Sequence, residues 1–299
     1  MAVLEKFQNF IDGNFVDPHS GEWFASENPY TQEDWAQIPR GSESDIFAAV
    51  DAAAKAFEAP EWGGVTAAMR GAMLNKLADC IAEKGEYLAA IETRDNGKLY
   101  SEMKAQLSYI PHIFRYYAGL ADKVTGDVVP LDRPDGFAYT RKEPLGVVAA
   151  ITPWNAPLVL LSYKVSAALA AGCTMVAKPS PETPLEAYML AECIQKAGIP
   201  DGVFNLVPAG RESGDYLVRH KDVDKVAFTG STVAGKKIAA ACSDRLARVS
   251  LELGGKSAAV LLDDADFGAA MMPLMIYSMP ITGQVCFSLT RILVPESRK

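Results

Sequence analysis

One cysteine of this chain lies in a setting that suits chemistry. Cys286 closes the sequence Gly-Gln-Val-Cys, and Glu252 lies upstream of it in Leu-Glu-Leu-Gly-Gly-Lys. A third candidate, Asn155, follows Pro-Trp at the end of an apolar run. A thiol can attack a carbonyl, a carboxylate can activate water, and a side-chain amide can donate to a developing oxyanion. These three residue types together predict acyl chemistry on a carbonyl compound.

Each candidate also has an ordinary structural interpretation. Glu252 could form a surface salt bridge with Lys256, and Asn155 could cap the helix that follows it. Cys286 alone is weak evidence, because free cysteines are among the most buried residue types. Its setting differs from that of the other cysteines, which lie within apolar helical or strand-like runs and are expected to pack in the core. They are Cys80, Cys173, Cys193 and Cys242.

Composition restricts the class of protein. The chain has 299 residues, of which 49% are hydrophobic and 22% charged, with a formal net charge of −8. An acidic chain without clustered Lys and Arg is not expected to bind nucleic acid through its phosphates. The longest apolar region, residues 145–177, is interrupted by proline, asparagine and lysine, so no membrane-spanning helix is predicted. The composition is that of a soluble globular enzyme.

Cysteine and histidine usage predicts the compartment. Residues 1–10 lack the apolar segment of a secretory signal. The five cysteines are odd in number and have no metal-ligand spacing, which favours a reducing compartment. The histidines, His19, His112 and His220, are isolated in the sequence, so no metal site is predicted. We expect a cytoplasmic protein.

The order of apolar patterns predicts an α/β fold. Asp12-Gly13 between two short apolar runs predicts a hairpin over residues 9–16, and Gly97 is expected to end a helix. Thr183 is expected to be the N-cap of a helix with Pro184 in its first turn. From residue 145 the strand and helix patterns alternate, which predicts a parallel sheet covered on both faces. The predicted strands of this part are residues 146–151, 174–177, 204–207, 225–228, 249–253 and 257–262.

Parallel α/β sheets bind ligands at the carboxyl ends of their strands. Gly230 and Ser231 follow a strand and open a helix, where free backbone N–H groups suit a phosphate. The alternative is a plain helix cap, since the spacing differs from the usual dinucleotide motif. Lys178 could donate to a ribose hydroxyl or phosphate, or could simply be solvated. Glu182 and, more weakly, Ser180 are candidates to hold the ribose 2′-hydroxyl, and the choice between NAD and NADP stays open.

Five motifs in this chain resemble those of the NAD(P)-dependent aldehyde dehydrogenase superfamily. The resemblance runs from about residue 10 to the end of the chain, and residues 94–98 also resemble a family segment. Because family members are longer, the chain resembles the N-terminal part and lacks the usual C-terminal region. The motifs are Ile151-Thr152-Pro153-Trp154-Asn155, Lys178-Pro179-Ser180, Phe228-Thr229-Gly230-Ser231-Thr232, Leu251-Glu252-Leu253-Gly254-Gly255-Lys256 and Gly283-Gln284-Val285-Cys286.

The resemblance implies an α/β fold with a parallel Rossmann-like sheet, flanking helices, a protruding hairpin and a truncated second α/β (catalytic) domain. Residues 1–121 and 142–253 would form the dinucleotide-binding domain. Residues 122–141 would form an oligomerisation-type hairpin, and residues 254–299 would begin the catalytic domain. A full-length protein of this kind is expected to be a homo-oligomer, a dimer or a tetramer.

The resemblance also implies the roles of the site residues. Cys286 would attack a small-molecule aldehyde to give a thiohemiacetal, whose oxyanion Asn155 and the Cys286 backbone N–H would hold. NAD or NADP would accept the hydride, and Glu252 would activate the water that releases the carboxylic acid. The cofactor-binding residues that it implies are Ile151, Thr152, Trp154, Lys178, Ser180, Gly230, Ser231, Leu253 and Gly254.

Two positions depart from the family pattern, and other functions stay open. Ile281 stands where members usually carry Asn, which predicts a looser nucleophile loop or an unusual branch. Pro181 stands where NAD-preferring members carry Glu, which predicts that NADP is tolerated. The alternatives are a non-catalytic dinucleotide-binding or interaction module and a thiol esterase that uses Cys286 and Glu252 without a cofactor. A protein of only this length is expected to be inactive, because the apolar strands after residue 254 would lack partners.

Overall fold

A seven-stranded sheet forms the centre of the computed structural model, which describes residues 4–299. Residues 1–3, which belong to the segment predicted to lack a secretory signal, lie outside that range. The strands are β1 Glu5–Lys6, β2 Asn9–Ile11, β3 Asn14–Val16, β4 Trp23–Asn28, β5 Glu33–Pro39, β6 Val128–Val129, β7 Ala138–Tyr139, β8 Val147–Ile151, β9 Thr174–Lys178, β10 Phe204–Leu206, β11 Lys225–Gly230, β12 Arg248–Leu253, β13 Ser257–Val260 and β14 Leu289–Leu293. The helices are α1 Glu43–Glu58, α2 Pro60–Gly63, α3 Ala67–Glu83, α4 Gly85–Asn96, α5 Tyr100–Leu120, α6 Pro157–Ala171, α7 Leu185–Lys196, α8 Arg211–Arg219, α9 Thr232–Ser243 and α10 Phe267–Ser278.

The strand order of this sheet is β12-β11-β8-β9-β10-β2-β3. The strands from β12 to β10 run parallel, whereas β2 runs antiparallel to both of its neighbours. From β8 the chain adds β9 and β10 on one side and then returns to add β11 and β12 on the other. The order therefore reverses between β8 and β11, and such a reversal is where open α/β sheets bind ligands.

Helices cover both faces of the sheet. Every residue of β8 is buried, with Val148 and Ala150 in one apolar core and Val147 and Ala149 in the other. Residues of α3, α5, α6 and α7 complete the first core, and residues of α1, α8 and α9 complete the second. Because side chains alternate along a strand, a continuous apolar run suits a strand that is buried on both faces. The predicted parallel α/β sheet with flanking helices is confirmed.

Local turn chemistry accounts for two further predicted features. In the hairpin of β2 and β3, Phe10 lies opposite Phe15. Its turn residues Asp12 and Gly13 both have positive φ, 50° and 74°, as a two-residue turn between twisted strands requires. Gly97 follows α4 with φ 78°, the left-handed conformation of a helix C-cap. Both predictions are confirmed.

The predicted N-cap at Thr183 is wrong. Helix α7 begins at Leu185, and no side chain caps it. Thr183 is buried, and its hydroxyl donates instead to the carbonyl oxygen of Trp154 at 2.9 Å. The helix begins one residue later than predicted, with Pro184 at its N-cap, and the Thr183 hydroxyl contacts a distant loop instead of the helix end.

Three smaller sheets accompany the main sheet in the described residues. The hairpin of β6 and β7 is antiparallel and mostly exposed, which confirms a protruding hairpin within residues 122–141. Strands β13 and β14 pair in parallel with α10 between them in the chain, so a second, smaller α/β unit follows the main sheet. The expectation that the strands after residue 254 lack partners is therefore wrong, because they pair with each other. The sequence did not predict a separate sheet of β1, β5 and β4 near the N-terminus, where short polar strands give a weak pattern.

The structure also bears on expectations drawn from composition. The four cysteines expected in the core are buried, and Cys286 is exposed, as their different settings predict. Among residues 4–299, no helix combines the length and the apolar composition that crossing a membrane requires.

Ionisable side chains are buried where α4 approaches α7. Glu92 and Lys98 form an ion pair in which neither side chain has exposed surface. Asp95 accepts hydrogen bonds from the Ser26 hydroxyl and from a backbone N–H at the start of α7. Burial raises the pKa of Asp95 to about 7, and it also raises the pKa values of Glu92 and Glu186.

Replacing Asp95 by Asn is expected to weaken the dependence of stability on pH. Its folded-state pKa of about 7 lies above the unfolded value, so the free energy of unfolding falls as pH rises from about 4 to about 7. Asp95→Asn removes this contribution and leaves those of the other buried acids. Urea unfolding across this pH window measures the slope, with the exposed Asp79→Asn as control. An unchanged slope in Asp95→Asn contradicts the assignment.

Candidate active site

Four adjacent strand ends bring the sequence-predicted site residues to one edge of the main sheet. Ile151 pairs with Lys178 on one side and with Phe228 on the other. Gly230, two residues farther along β11, pairs with Leu253 of β12. The backbone N–H of Gly254 then donates to the Gly230 carbonyl at 3.3 Å. Residues from four separate motifs therefore form one row at the reversal of strand order.

The turn from β11 to α9 leaves an open helix N-terminus at this edge. Ser231 is the N-cap of α9, and its hydroxyl accepts a hydrogen bond from the Ala234 backbone N–H at 3.2 Å. A Cβ at Gly230 would lie 2.5 Å from the ring of Phe228, so only glycine fits there without a shift. Ser231, Thr232 and Val233 are exposed. Free N–H groups and the positive end of the helix dipole suit an anion at this position.

Lys178 is buried at the end of β9 rather than solvated. Its Nζ donates to the carbonyl oxygens of Pro179, at 3.1 Å, and Ala209, at 2.7 Å. Burial lowers the pKa of Lys178 to about 8, against the smaller opposing effect of Glu182. A charged ammonium has three donors, so one remains for a further acceptor. Nearby, the Ser180 hydroxyl donates to the Glu182 carboxylate.

The loop after β8 is held by side chains from other elements. Thr183 and Asn96 both donate to the carbonyl oxygen of Trp154. Lys98 donates to the carbonyl oxygen of Asn155 at 2.8 Å. The Trp154 side chain is 46% exposed, whereas Thr152 before it is buried. Side chains from other elements therefore hold the backbone of this loop, whereas the indole of Trp154 faces outward.

The Asn155 side chain contacts the nucleophile loop, which we define as residues 281–288. Its Nδ2 donates to the carbonyl oxygen of Gln284 at 2.6 Å. The residue at the N-cap of α6 is Ala156, and no side chain caps that helix, so the helix-cap interpretation of Asn155 is wrong. A side-chain amide has two N–H donors, and the bond to Gln284 uses one of them.

The nucleophile loop begins with an unusual backbone. Ile281 and Thr282 have φ values of 53° and 54°, and Gly283 follows with 77°. A positive φ is rare for a β-branched residue and costs on the order of 1–2 kcal/mol per residue. The Ile281 backbone N–H donates to a Glu102 carboxylate oxygen at 3.2 Å, which ties the loop to α5. The departure at Ile281 thus lies in a strained but anchored segment.

Cys286 lies in a turn of this loop next to the Gly-Gly motif. Its side chain is exposed, and the Ser288 backbone N–H closes the turn on the Val285 carbonyl at 3.3 Å. A Cβ built at Gly255 would lie 4.0 Å from the Cys286 carbonyl oxygen. The end of β12 and the loop that bears the thiol are therefore neighbours.

Glu252 lies on β12, opposite Thr229 of β11 in the strand register. Its side chain is exposed, and among the described residues it forms no ion pair with Lys256, so the salt-bridge interpretation is not observed. Lys164 of α6 is the cation beside it. Lys164 donates to the Thr229 hydroxyl at 2.8 Å, and burial lowers its pKa to about 8 against the attraction of Glu252.

Sequence reasoning missed Lys164, which lies beside Glu252, and the residues that hold the two loops. Lys164 carried a visible signal, because a lysine inside an otherwise apolar helix is expensive to bury without a partner. Glu102 carried none, since its partner is a backbone N–H far along the chain. Lys98 and Asn96 lie in the segment that resembles the family, but nothing in their spacing indicates what they contact.

His220 is not isolated in the fold, although it is in the sequence. Ligand-type atoms of Asp51, His220 and Asp222 lie within 4.8 Å of one another. The backbone N–H of Asp222 donates to His220 Nδ1 at 3.3 Å, and Lys221 pairs with the Asp222 carboxylate. This group lies where α1 approaches the loop before β11, away from the strand ends that carry the candidate site.

Comparison with known proteins identifies the family of this chain. The family model described as "Aldehyde dehydrogenase family" matches residues 15–299. An Acinetobacter baylyi protein named (Z)-2-((N-methylformamido)methylene)-5-hydroxybutyrolactone dehydrogenase is 43% identical over 99% of this chain and 60% of its own length. Aldehyde dehydrogenase family 2 member C4 of Arabidopsis thaliana is 43% identical, over 96% of this chain and 58% of its own length.

Solved structures agree with this result. The NAD+ complex of an aldehyde dehydrogenase from Bacillus cereus superposes with a TM-score of 0.95 at 43% identity. The match covers 98% of this chain and 60% of that one, so the chain spans about 60% of the length of the relatives that it matches. On the family match, these relatives and the shared fold, this chain belongs to the aldehyde dehydrogenase family.

Proposed function

We propose that this chain binds NAD or NADP and supplies the nucleophile, the oxyanion donor and the base for oxidising an aldehyde to a carboxylic acid. The observation that carries the proposal is the contact between Asn155 and the nucleophile loop at the reversal of strand order. It joins the amide of one motif to the loop that bears the thiol of another. The chain spans about 60% of the length of its relatives, so the activity is proposed for the whole protein that the natural source produces.

The described residues fit a dinucleotide. The turn at Gly230 and Ser231 leads into α9, whose first backbone N–H groups would bind a pyrophosphate, and the close approach of Phe228 excludes a side chain at Gly230. Lys178 retains one donor for a ribose hydroxyl. Further contacts to the cofactor are proposed for neighbouring residues of the same edge, namely Ile151, Thr152, Trp154, Ser180, Leu253 and Gly254. The cofactor, when bound, accepts the hydride of the aldehyde carbon.

The Bacillus cereus relative was solved with NAD+, which supports NAD for this chain. The Glu182 carboxylate also favours NAD, because a negative charge near the ribose repels a 2′-phosphate. Pro181, where NAD-preferring members carry Glu, favours tolerance of NADP. We therefore propose NAD or NADP, with a small-molecule aldehyde as the substrate.

Cys286 would form the bond to the aldehyde carbon. Its exposed thiolate attacks the carbonyl and gives a thiohemiacetal on sulfur. The second N–H of the Asn155 amide, together with the Cys286 backbone N–H, donates to the oxyanion. Loss of the hydride from that carbon leaves a thioester, which must then be hydrolysed.

Glu252 would activate the water that hydrolyses the thioester. As a carboxylate at the end of β12, it takes a proton from water while the oxygen attacks the acyl carbon and the Cys286 sulfur leaves. The glycines after it leave its backbone free of side-chain crowding, since a Cβ at Gly254 would meet nothing within 4 Å. The carboxylic acid is released and the thiolate returns.

Organisation and location are proposed on the same basis. Residues 1–121 and 142–253 would form the dinucleotide-binding domain, and residues 254–299 would begin the catalytic domain. The exposed apolar residues of the hairpin within residues 122–141 suit contact with a second subunit, so a dimer or tetramer is proposed for the full-length protein. A reducing, cytoplasmic location agrees with the buried free cysteines.

Cys286→Ser is expected to abolish aldehyde oxidation while leaving cofactor binding unchanged. The reason is that the hydroxyl is a much weaker nucleophile than the thiolate at neutral pH. Formation of the reduced cofactor from simple aldehydes measures turnover, and intrinsic fluorescence measures cofactor binding. Cys242→Ala, which removes a buried thiol in another part of the molecule, serves as the control. Cofactor binding without turnover in the wild type would favour the non-catalytic module, and ester cleavage independent of cofactor would favour the thiol esterase.

Glu252→Gln is expected to separate the two half-reactions. Because the amide cannot take a proton from water, acid release should fall by about 10²- to 10⁴-fold, while one equivalent of reduced cofactor still forms in a burst. Rapid mixing measures the burst of reduced cofactor from the first half-reaction, and steady-state release of the acid measures the second. Steady-state acid release at the wild-type rate would remove Glu252 from its proposed role.

Cofactor affinity is expected to fall as pH rises through about 8. Below that pH Lys178 is charged and has one donor beyond the two that its carbonyl partners take, whereas the neutral amine has none to spare. Titration of NAD binding from about pH 7 to about pH 9.5 measures the effect. In Lys178→Met, binding should be weaker and independent of pH over this range. Persistence of the same pH dependence in that variant would assign it to another group, such as Lys164.

A further inference from the structure

Lys98 is a fully buried charged residue near the candidate site that the proposed chemistry does not use. Neither its side chain nor that of its partner Glu92 has any exposed surface. Removing two charges from water carries a desolvation cost that their attraction often fails to offset. One Glu92 oxygen also has no hydrogen-bond partner. A contribution to folding stability alone therefore does not explain why this ion pair is buried here.

The contacts of Lys98 indicate another role. Besides Glu92, its ammonium donates to the carbonyl oxygen of Asn155 at 2.8 Å. On the other side of Gly97, Asn96 donates to the carbonyl oxygen of Trp154. The left-handed Gly97 turns the chain so that both side chains reach the same loop, and a Cβ there would lie 2.8 Å from Pro29. Two successive carbonyls of the loop are thus fixed by residues on either side of one turn.

We propose that Lys98 is a positioning residue that orients the Asn155 amide towards the nucleophile loop by holding the Asn155 carbonyl oxygen. This inference rests on the proposed function, in which the Asn155 amide donates to the oxyanion. The path is continuous, because Lys98 holds the Asn155 backbone and the Asn155 side chain holds Gln284, two residues before Cys286. Glu92 holds the Lys98 ammonium in place through their buried ion pair.

The rate of the proposed reaction depends on how precisely the oxyanion donor is placed. An oxyanion donor must lie within a few tenths of an ångström of its productive position, and a misplacement of about 1 Å can cost about 100-fold in rate. The backbone of Asn155 has no helical hydrogen bond to fix it, since it lies just before the N-cap of α6. A charged donor gives a stronger and shorter hydrogen bond to that carbonyl than a neutral one does. The buried ammonium supplies this restraint.

The test uses a double variant, because Lys98→Met alone leaves Glu92 charged, buried and unpaired and can prevent folding. Glu92→Gln/Lys98→Met removes both charges and also removes the donor to Asn155. We expect wild-type thermal stability to within a few degrees, a kcat for aldehyde oxidation lower by about 100-fold, and a KM for the cofactor within about twofold. The matched control is Lys104→Met, which breaks the exposed ion pair between Lys104 of α5 and Glu86 of α4.

A second readout does not need turnover. Hydrogen–deuterium exchange of a peptide that spans residues 281–289 should be faster in the double variant than in the wild type and in Lys104→Met, because Gln284 loses an ordered partner. A double variant with wild-type kcat, or with unchanged exchange in this peptide, overturns the positioning role. A wild-type protein that oxidises no aldehyde overturns the proposed function instead, and the exchange result then still decides whether Lys98 orders the nucleophile loop.

Discussion

The burial of β8 on both faces is the constraint on which the site depends. A strand at the centre of a parallel sheet has neighbours on both sides and apolar cores above and below, so its carboxyl end leaves the sheet at a fixed place and in a fixed direction. The chain reverses its strand order beside this strand. Helix α6 follows β8, and α9 follows β11. The reversal leaves a gap between these two helices, and the candidate site lies at the opening of that gap.

The loops that leave this edge are fixed by polar groups rather than by packing. Backbone carbonyls of Trp154 and Asn155 accept from side chains that come from α4, from the turn after it and from the loop before α7. The nucleophile loop is tied to α5 and to Asn155. A rigid sheet edge with side-chain anchors below each loop gives a geometry in which few groups need to move when a ligand arrives. The strained backbone of Ile281 and Thr282 is tolerated because these anchors surround it.

The sequence predicts the parts of the fold whose signals are local or periodic. The apolar run of β8, the Asp12-Gly13 turn and the Gly97 cap each follow from residue types at short range, and the structure agrees. Thr183 shows the limit of such reasoning, because its sequence predicts a helix N-cap whereas in the fold its hydroxyl donates to the carbonyl oxygen of Trp154 in a distant loop. The anchors Lys98 and Glu102 could not be predicted, since each acts on backbone atoms that only the folded chain brings near. For the site, the motifs predicted the candidate residues, and only the structure shows which side chains contact them.

Lys178 couples ligand binding to the proton activity of the solution. Two of its three donors are committed to protein carbonyls, so a ligand that needs the third selects the charged form. Above about pH 8, where the free protein has largely lost this proton, such a ligand binds together with a proton taken from the buffer. The heat of binding then includes the ionisation heat of that buffer, and it differs between phosphate and Tris at the same pH. A buried lysine with fixed acceptors thus makes the binding site a proton acceptor as well as a recognition surface.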